Sequence, residues 1–526
     1  MTPISAAFSC RCAAQPRVAA RSPLPAGWRL AGLLLSAALL AGCVVGPDYQ
    51  KPVLALPLAW GQAKAAKPAK PPALAAWWRR LNDPLLDALI REAVAGNLDV
   101  ATAKAKIREA RASYRQAVGA LFPTVDGSGS ATRAKSVSAG SGSIATGNQF
   151  QAGLDASWEL DLFGANKRAV EAARYGMDAS EEELRATLLT LIGDVASNYV
   201  QARGYQARIA LARRTAASQR ETAALTRTKF EAGASSAVDV ANAAGQAATT
   251  EANIPDLQSA HAEAVHRLSV LTGRAPAALS RRLGKPGAIP RPRLPIPTGV
   301  PADLLASRPD IRLAERQYAQ STAKIGQAQA ARYPSVSLTG SIATTGTRLG
   351  DLGKSSSISW SFGPTLTVPI FNGGQLKAAV EVAEAQRDQS FLAYRSSVLS
   401  ALEDVENAIV SLAQERIKSA RLAVSVANYR EAASLGRSLY RAGTQSFLDL
   451  LEAERSLYSA EDSLIASQVA VATDYIALNK ALGGGWSGTI DSGKPEIVDI
   501  ATGPHLATPE QFGAAAEASP PHGADR

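Results

Sequence analysis

The stretch FQAGLDASWELDLFG, Phe150 to Gly164, decides the fold. Phe150, Ala152, Leu154, Ala156, Trp158, Leu160 and Leu162 are apolar or small, while Gln151, Asp155, Ser157, Glu159 and Asp161 fall between them. A period of two describes a strand with one apolar and one wet face. The alternation returns in SISWSFGPTLTVPIF, Ser357 to Phe371, where Ile358, Trp360, Phe362, Leu366, Val368 and Ile370 oppose Ser357, Ser359, Ser361, Thr365 and Thr367. Glycine- and serine-rich loops, Lys135–Asn148 and Thr347–Ser356, separate each stretch from a weaker strand that begins near Pro123 or Pro334. The chain therefore offers two hairpins, 122–163 and 333–371, and four strands.

The two hairpins belong to a wider self-similarity. FPTVDGSGS at Phe122 returns as YPSVSLTGS at Tyr333, and LFGANKRAVEAA at Leu162 as IFNGGQLKAAVEVA at Ile370. KFEAGASSAVDV at Lys229 returns as LYRAGTQSFLDL at Leu439, and LTG at Leu271 as LGG at Leu482. Four matches in one order, each offset by about 210 residues, predict an internal duplication. Its units span 85–275 and 302–486, joined by a linker at 276–301.

Outside the hairpins the chain reads as helix. Leu450, Leu457, Leu464, Val471 and Leu478 repeat every seven residues, with Ala453 and Ala460 three further on, as in a close-packed helical seam. Phe163–Gly233 and Phe371–Gly443 are uninterrupted helical spans of about 70 residues, roughly 100 Å each. Shorter spans, Gly233–Gly273 with Ala302–Tyr333 and Gly443–Leu482 with Leu85–Phe122, sum in pairs to about the same length. Pro255 is expected to kink its helix. EAGAS and RAGTQ place glycines where the long helices must stop and reverse. The result is a rod with strands at one end and two helical turns at the other.

The N-terminus carries an export signal. Arg29 precedes the apolar run LAGLLLSAALLAG, too short to span comfortably as a permanent helix, so residues 1–42 read as a signal peptide. Cys10 and Cys12 lie within it; Cys43 alone remains, which excludes disulfide frameworks and cysteine metal sites. The formal charge is +10, but Arg11, Arg17, Arg21 and Arg29 fall in that leader. No basic block with interleaved aromatics points to nucleic acid. Past Gly485 the chain is rich in Ala, Pro and Gly, and 487–526 reads as a disordered tail.

Four strands cannot close a barrel, for which about eight is the smallest useful number. An open edge in lipid would leave backbone groups without partners, so chains must pool strands. Three chains reach twelve, within the range of outer-membrane barrels. The expected fold is a membrane β-barrel plus a long α-helical barrel in a trimer. Trp158, Leu160, Leu162, Trp360 and Phe362 form its outward apolar belt.

Several spaced motifs now carry a family resemblance: LLAGC at Leu39–Cys43, CVVGPDYQKP after the leader, the paired [FY]-P-[ST]-V strand entries, the LFG and IFNGG exits, and YRAGTQSFLDLLEAERSLYSAEDSL. Over Cys43–Trp486 the chain resembles the TolC family of outer-membrane efflux ducts, in the lipoprotein branch typified by OprM and NodT. The lipobox implies cleavage before Cys43 and acylation of its thiol, with 43–84 as the lipidated N-terminal segment. Val44, where an Asp would resemble an inner-membrane retention signal, favours the outer membrane. The covalent lipid is the sole added group implied, with no cofactor and no metal.

The resemblance further implies a homotrimer in outer-membrane lipid whose helical tunnel crosses the periplasm. Such a duct exports small toxic compounds without chemistry of its own. An inner-membrane pump of the resistance-nodulation-division (RND) class drives it through a periplasmic membrane-fusion adaptor. The family's gate positions fall on Leu448, Asp449 and Glu452, with Tyr440 and Arg441 at positions that hold the gate shut. Asp449 and Glu452 share a helix face, and threefold repetition would make carboxylate rings; taken alone they read as a solvated face. Gln445 stands where TolC carries an arginine, which removes an ionic lock. In the first unit Asp239 matches Asp449, whereas Asn242 replaces Glu452. Gly233, Ala234, Ser235, Gly443 and Thr444 resemble the turns that meet the adaptor.

Other readings are weaker. His261 and His266 lack zincin spacing, and GSGSATR at Gly127 lacks the third glycine of a dinucleotide loop. No catalytic constellation is present, so an enzyme is disfavoured. A type I protein-secretion duct is the runner-up, and an exported coiled-coil stalk the structural rival. A metal exporter is less favoured, with Met1 and Met177 the sole methionines.

Overall fold

The computed structural model describes residues 44–53, 74–137, 144–292 and 302–487, with short backbone pairs at 498–499 and 503–504. The signal peptide and Cys43 lie outside the described residues. The tail expected to be without structure contains one short antiparallel pairing, Val498–Asp499 with Gly503–Pro504.

Helix α1 (Pro84–Gly96) begins where Pro84 sets the first-turn geometry and the Asp83 carboxylate accepts from Leu85 N and Leu86 N at 2.9 and 3.2 Å. The span read as continuous from Leu85 breaks at Asn97. That side chain caps α2 (Leu98–Gly119), accepting from Asp99 N and Val100 N, while its Nδ2 donates to Leu271 O at 3.0 Å. One residue thus ends one helix, starts the next and ties both to a third.

The long helices are α3 (Ala165–Glu231, 67 residues) and α7 (Gln375–Ala442, 68 residues). Each is about 100 Å long. They reverse into α4 (Ala237–Leu271) and α8 (Phe447–Ala481), 35 residues each. Helix α4 continues through Pro255 as one helix. Helix α5 (Ser280–Leu283) lies in the expected linker, where Leu279, Leu283 and Ile289 are buried, so that segment is part of the core rather than a spacer. Helix α6 (Pro309–Ala330) has 22 residues. The pair α4 and α6, with 35 and 22 residues, therefore falls short of the 67-residue α3, whereas α8 together with α1 and α2, with 35, 13 and 22 residues, matches the 68-residue α7. Helix α3 packs against α2, α4, α6 and α8, while α7 packs against α6 and α8.

The main core lies around Trp77, Leu86, Ile90, Ile192, Val195, Tyr199, Leu268 and Tyr475, all nearly inaccessible. A second small cluster, Ala243, Tyr440, Phe447, Leu450 and Leu451, closes the far end.

Strands β1 (Thr124–Val137), β2 (Ile144–Leu160), β3 (Ser335–Gly346) and β4 (Ile358–Thr367) form one antiparallel sheet in the order β1-β2-β3-β4. The hairpins adjoin through β2 and β3, where Trp158 faces Leu338 and Leu154 faces Ile342. Since directly paired residues share a face, the register sums the alternations. Val125, Ala156, Gly340 and Phe362 form one row; Gly127, Leu154, Ile342 and Trp360 form the next. The opposite face carries Ser341 and Ser361, whose hydroxyls meet at 2.8 Å. Strands end earlier than expected. Leu162 lies beyond β2, because Asp161 turns to accept from Asn166 N and Lys167 N at the start of α3. Val368 and Ile370 likewise lie beyond β4.

Candidate functional site

Two features require an explanation in one chain: a sheet with apolar side chains in the open, and a pair of helical turns at the opposite end. On the sheet, Trp360 is 76% and Phe362 70% exposed, with Leu154, Trp158 and Ile342 also exposed. Leu160 is half-buried, as is Leu162 outside the strand. Trp158 Nε1 donates to Leu121 O at 3.0 Å, which pins the ring at the sheet's base. Strands β1 and β4 have one neighbour each among the described residues. No described helix is long and apolar enough to cross a membrane.

Cys43 precedes a placed segment. Val45 N donates to Phe163 O at 3.1 Å, at the junction of β2 and α3. The buried Arg168 guanidinium donates to Val45 O, Gly46 O and Asp48 Oδ1, and also pairs with Glu171. Tyr49 Oη donates to Glu315 Oε1 at 2.6 Å. This strap holds the residue after Cys43 at the boundary between sheet and helices.

At the far end both turns are built alike. Ala234 N donates to Lys229 O and Thr444 N to Leu439 O, each closing a helix C-terminus around a glycine, Gly233 at φ 74° and Gly443 at φ 80°. Ser236 and Asp239 then form a reciprocal capping box at the start of α4. At the start of α8, Asp449 N donates to Ser446 Oγ at 3.3 Å, and Ser446 Oγ donates to Asp449 Oδ2 at 2.7 Å. Hydrogen bonds from the Ser236 backbone and hydroxyl and from Ser235 Oγ hold the Asp239 carboxyl below the usual carboxylate range. Gly233, Ala234, Gly443 and Thr444 are exposed and Ser235 half-buried.

The gate candidates divide by environment. Leu448 (61% exposed), Asp449 and Glu452 face out, and Glu452 Oε1 accepts from Ser456 Oγ at 3.3 Å. Asp449 is partly committed to its own helix cap. Tyr440 is buried; its hydroxyl donates to Thr226 Oγ1 at 3.0 Å, and Lys229 Nζ lies 4.9 Å from its ring centroid. Arg441 is exposed beside a cavity of about 150 Å³ that it lines with Leu450. Gln445 Oε1 is sequestered with no hydrogen-bond partner among the described residues, and its amide carries no charge.

The sequence reading missed Glu454, a 4%-exposed carboxylate bonded to Arg437 and Thr222, and Val238, exposed where the second turn has Leu448. Val238 and Leu448 stand at the same distance after their tip glycines, Gly233 and Gly443. Burial of Glu454, two residues from the exposed Glu452, follows from the helix face it occupies. Among the described residues no group of three or more His, Cys, Asp or Glu could hold a metal ion.

A one-sided apolar sheet on a helical stalk of about 100 Å, with two exposed helical turns at its far end, is the architecture of a channel subunit of the outer membrane. The chain belongs to the outer membrane efflux protein family, whose model matches residues 89–274 and 300–484. It is 37% identical over 462 residues to nodulation protein T of Rhizobium leguminosarum bv. trifolii, covering 86% of this chain and 97% of that one. It is 34% identical over 469 residues to the solvent efflux pump outer membrane protein SrpC of Pseudomonas putida, covering 85% and 97%. The outer-membrane channel OprN superposes with a TM-score of 0.79 at 35% identity, over 84% of this chain and all of that one. The protein is thus an efflux duct rather than an enzyme. It spans the outer membrane and periplasm as the exit of a tripartite system, in a family of trimeric channels with a helical barrel.

Proposed function

We propose that three copies of this chain pool their sheets into a twelve-stranded barrel and their helices into a tapering tunnel, forming a passive duct for small toxic compounds. Each copy contributes two versions of one duplicated unit. The observation that carries this reading is the sheet itself, whose β1 and β4 outer edges have no partner among the described residues and whose apolar face is exposed. In lipid such edges need backbone partners, which the strands of further copies supply. Helix α7 adds support. Its Leu392, Leu399, Val410, Ile417, Val424 and Leu435 are all exposed and recur at spacings of seven or eleven, which keep one stripe along a straight helix. A second copy laid on that stripe would bury it.

Acylation of Cys43 would anchor the barrel at the sheet–helix boundary held by Arg168. The tips at Gly233–Ser235 and Gly443–Thr444 would meet a periplasmic adaptor, and an inner-membrane pump of the RND class would supply the energy. The solvent-efflux relative supports small organic cargo. Purified protein in planar bilayers should give discrete, cation-preferring conductance steps. Expression beside a matched pump and adaptor should raise the inhibitory concentration of organic toxicants. Absence of both effects would end this reading.

A further inference from the structure

We propose that Arg133 and Lys135 bind the phosphates of an outer-leaflet glycolipid, lipid A, whose acyl chains lie in an apolar groove on the sheet below them. The inference rests on the barrel reading above. Along β1 both residues keep the alternation of Val125 and Gly127, so they lie on the apolar face, and both are exposed. The carboxylates of the same hairpin, Asp126, Asp155 and Glu159, keep the opposite alternation and share the face of Ser341 and Ser361. Bases therefore face lipid and acids the lumen.

The register sets their height. Helices join the sheet beside Thr124 and Leu160, and the strap that follows Cys43 is bonded to Phe163, so that end is periplasmic and Val137 and Ile144 lie at the outer end. From the row of Leu160, Val336 and Leu366 outward to the row of Ala131, Phe150 and Gly346, β2 advances ten residues. At about 3.4 Å per residue and a tilt of about 40° that is a rise of about 26 Å, the apolar band of such a barrel. Arg133, paired with Asn148, and Lys135, paired with Thr146, occupy the next two outward rows, at headgroup level. A base on the lipid face is costly at mid-bilayer and tolerated there. Just below them opens a groove of about 390 Å³, with Gly127 and Ala152 at its floor and the exposed Leu154, Ile342 and Ile358 as walls. Its position in the outer half of the sheet assigns it to the outer leaflet, where the phosphorylated lipid is lipid A. Lys354, in the β3–β4 loop, is already paired with Asp351 at 2.6 Å.

The test is native mass spectrometry of the full-length, detergent-purified trimer titrated with bisphosphorylated lipid A and, separately, with phosphatidylglycerol. The wild type should take lipid A in preference. Arg133→Gln and Lys135→Gln should each weaken lipid A binding about fivefold, the effect of one base beside an anionic lipid surface, and about 25-fold together. Gly127→Val should weaken it too by filling the groove; a Cβ there meets Leu154 Cδ2 at 3.6 Å, an ordinary contact, so the strand accepts it. Lys354→Gln, whose charge is committed to Asp351, should change nothing. Unchanged lipid A binding in the double variant or in Gly127→Val, an equal loss in Lys354→Gln, or no preference over phosphatidylglycerol would overturn the proposal. Should Gly127→Val fail to assemble, the two exposed bases decide the matter. A wild-type chain that forms no trimer would instead overturn the barrel reading, and this inference with it.

Discussion

Ile342 and Trp360 lie directly opposite each other across β3 and β4, and both side chains are exposed, at 48% and 76%. Neighbouring Ser341 and Ser361 pair on the other face. The account makes the first face lipid-contacting and the second lumenal. Trp360→Arg should therefore cost about 2–4 kcal/mol near the bilayer midplane and abolish the heat-modifiable trimer on gels. Ser361→Arg should assemble normally and shift ion selectivity toward anions. Equal tolerance at both positions would show that the faces are not so divided.

Replacement of Asp449 and Glu452 by alanine should raise single-channel conductance. The structure refines this expectation: Asp449 shares its carboxylate with Ser446 at its own helix cap, whereas Glu452 is bonded among the described residues by Ser456 on its own helix. Glu452→Ala should have the larger effect. Unchanged conductance in the double variant would remove both acids from the gate.

The tips make a stability prediction. Ser446→Ala removes the acceptor for Asp449 N, and Ser236→Ala the acceptor for Asp239 N. Loss of such a cap costs about 1 kcal/mol. Limited proteolysis should show faster cleavage at Gly443 or Gly233 in the matching variant, with the sheet end unaffected. Equal cleavage would mean the caps contribute little.

His261 supplies a pH signature. Burial, reinforced by the Arg203 charge, pushes its imidazole below the usual histidine value of 6.5, and Nε2 is sequestered without a partner. The unfolded chain therefore takes up a proton that the folded chain resists. This contribution is complete above the unfolded value and is lost as pH falls through the folded one. His261→Gln should flatten the fall in thermal midpoint between pH 7 and pH 5, measured by circular dichroism. An unaltered slope would assign the pH dependence elsewhere.

Much of the architecture was legible because two periods dominate the chain. Alternation around Trp158 and Trp360 located the strands, and glycines at 233 and 443 located the reversals. The break at Asn97 was missed although its cap is local, made to Asp99 N and Val100 N; its tie to Leu271, remote in sequence, was not legible. Leu162 was misplaced because Asp161 prefers the backbone at the start of α3 to the continued strand. At the tip, spacing identified Asp449 and Glu452 as neighbours but was silent on Glu454. Its burial depends on Thr222 and Arg437, which tertiary packing alone brings together.

The central claim is that the bare edges of β1 and β4 are completed by other copies of the same chain. Single-particle imaging of detergent-purified protein tests it most directly. The account predicts threefold particles with a continuous lumen from a short barrel into a long helical tunnel. Isolated chains, or threefold rods with no lumen, would contradict it.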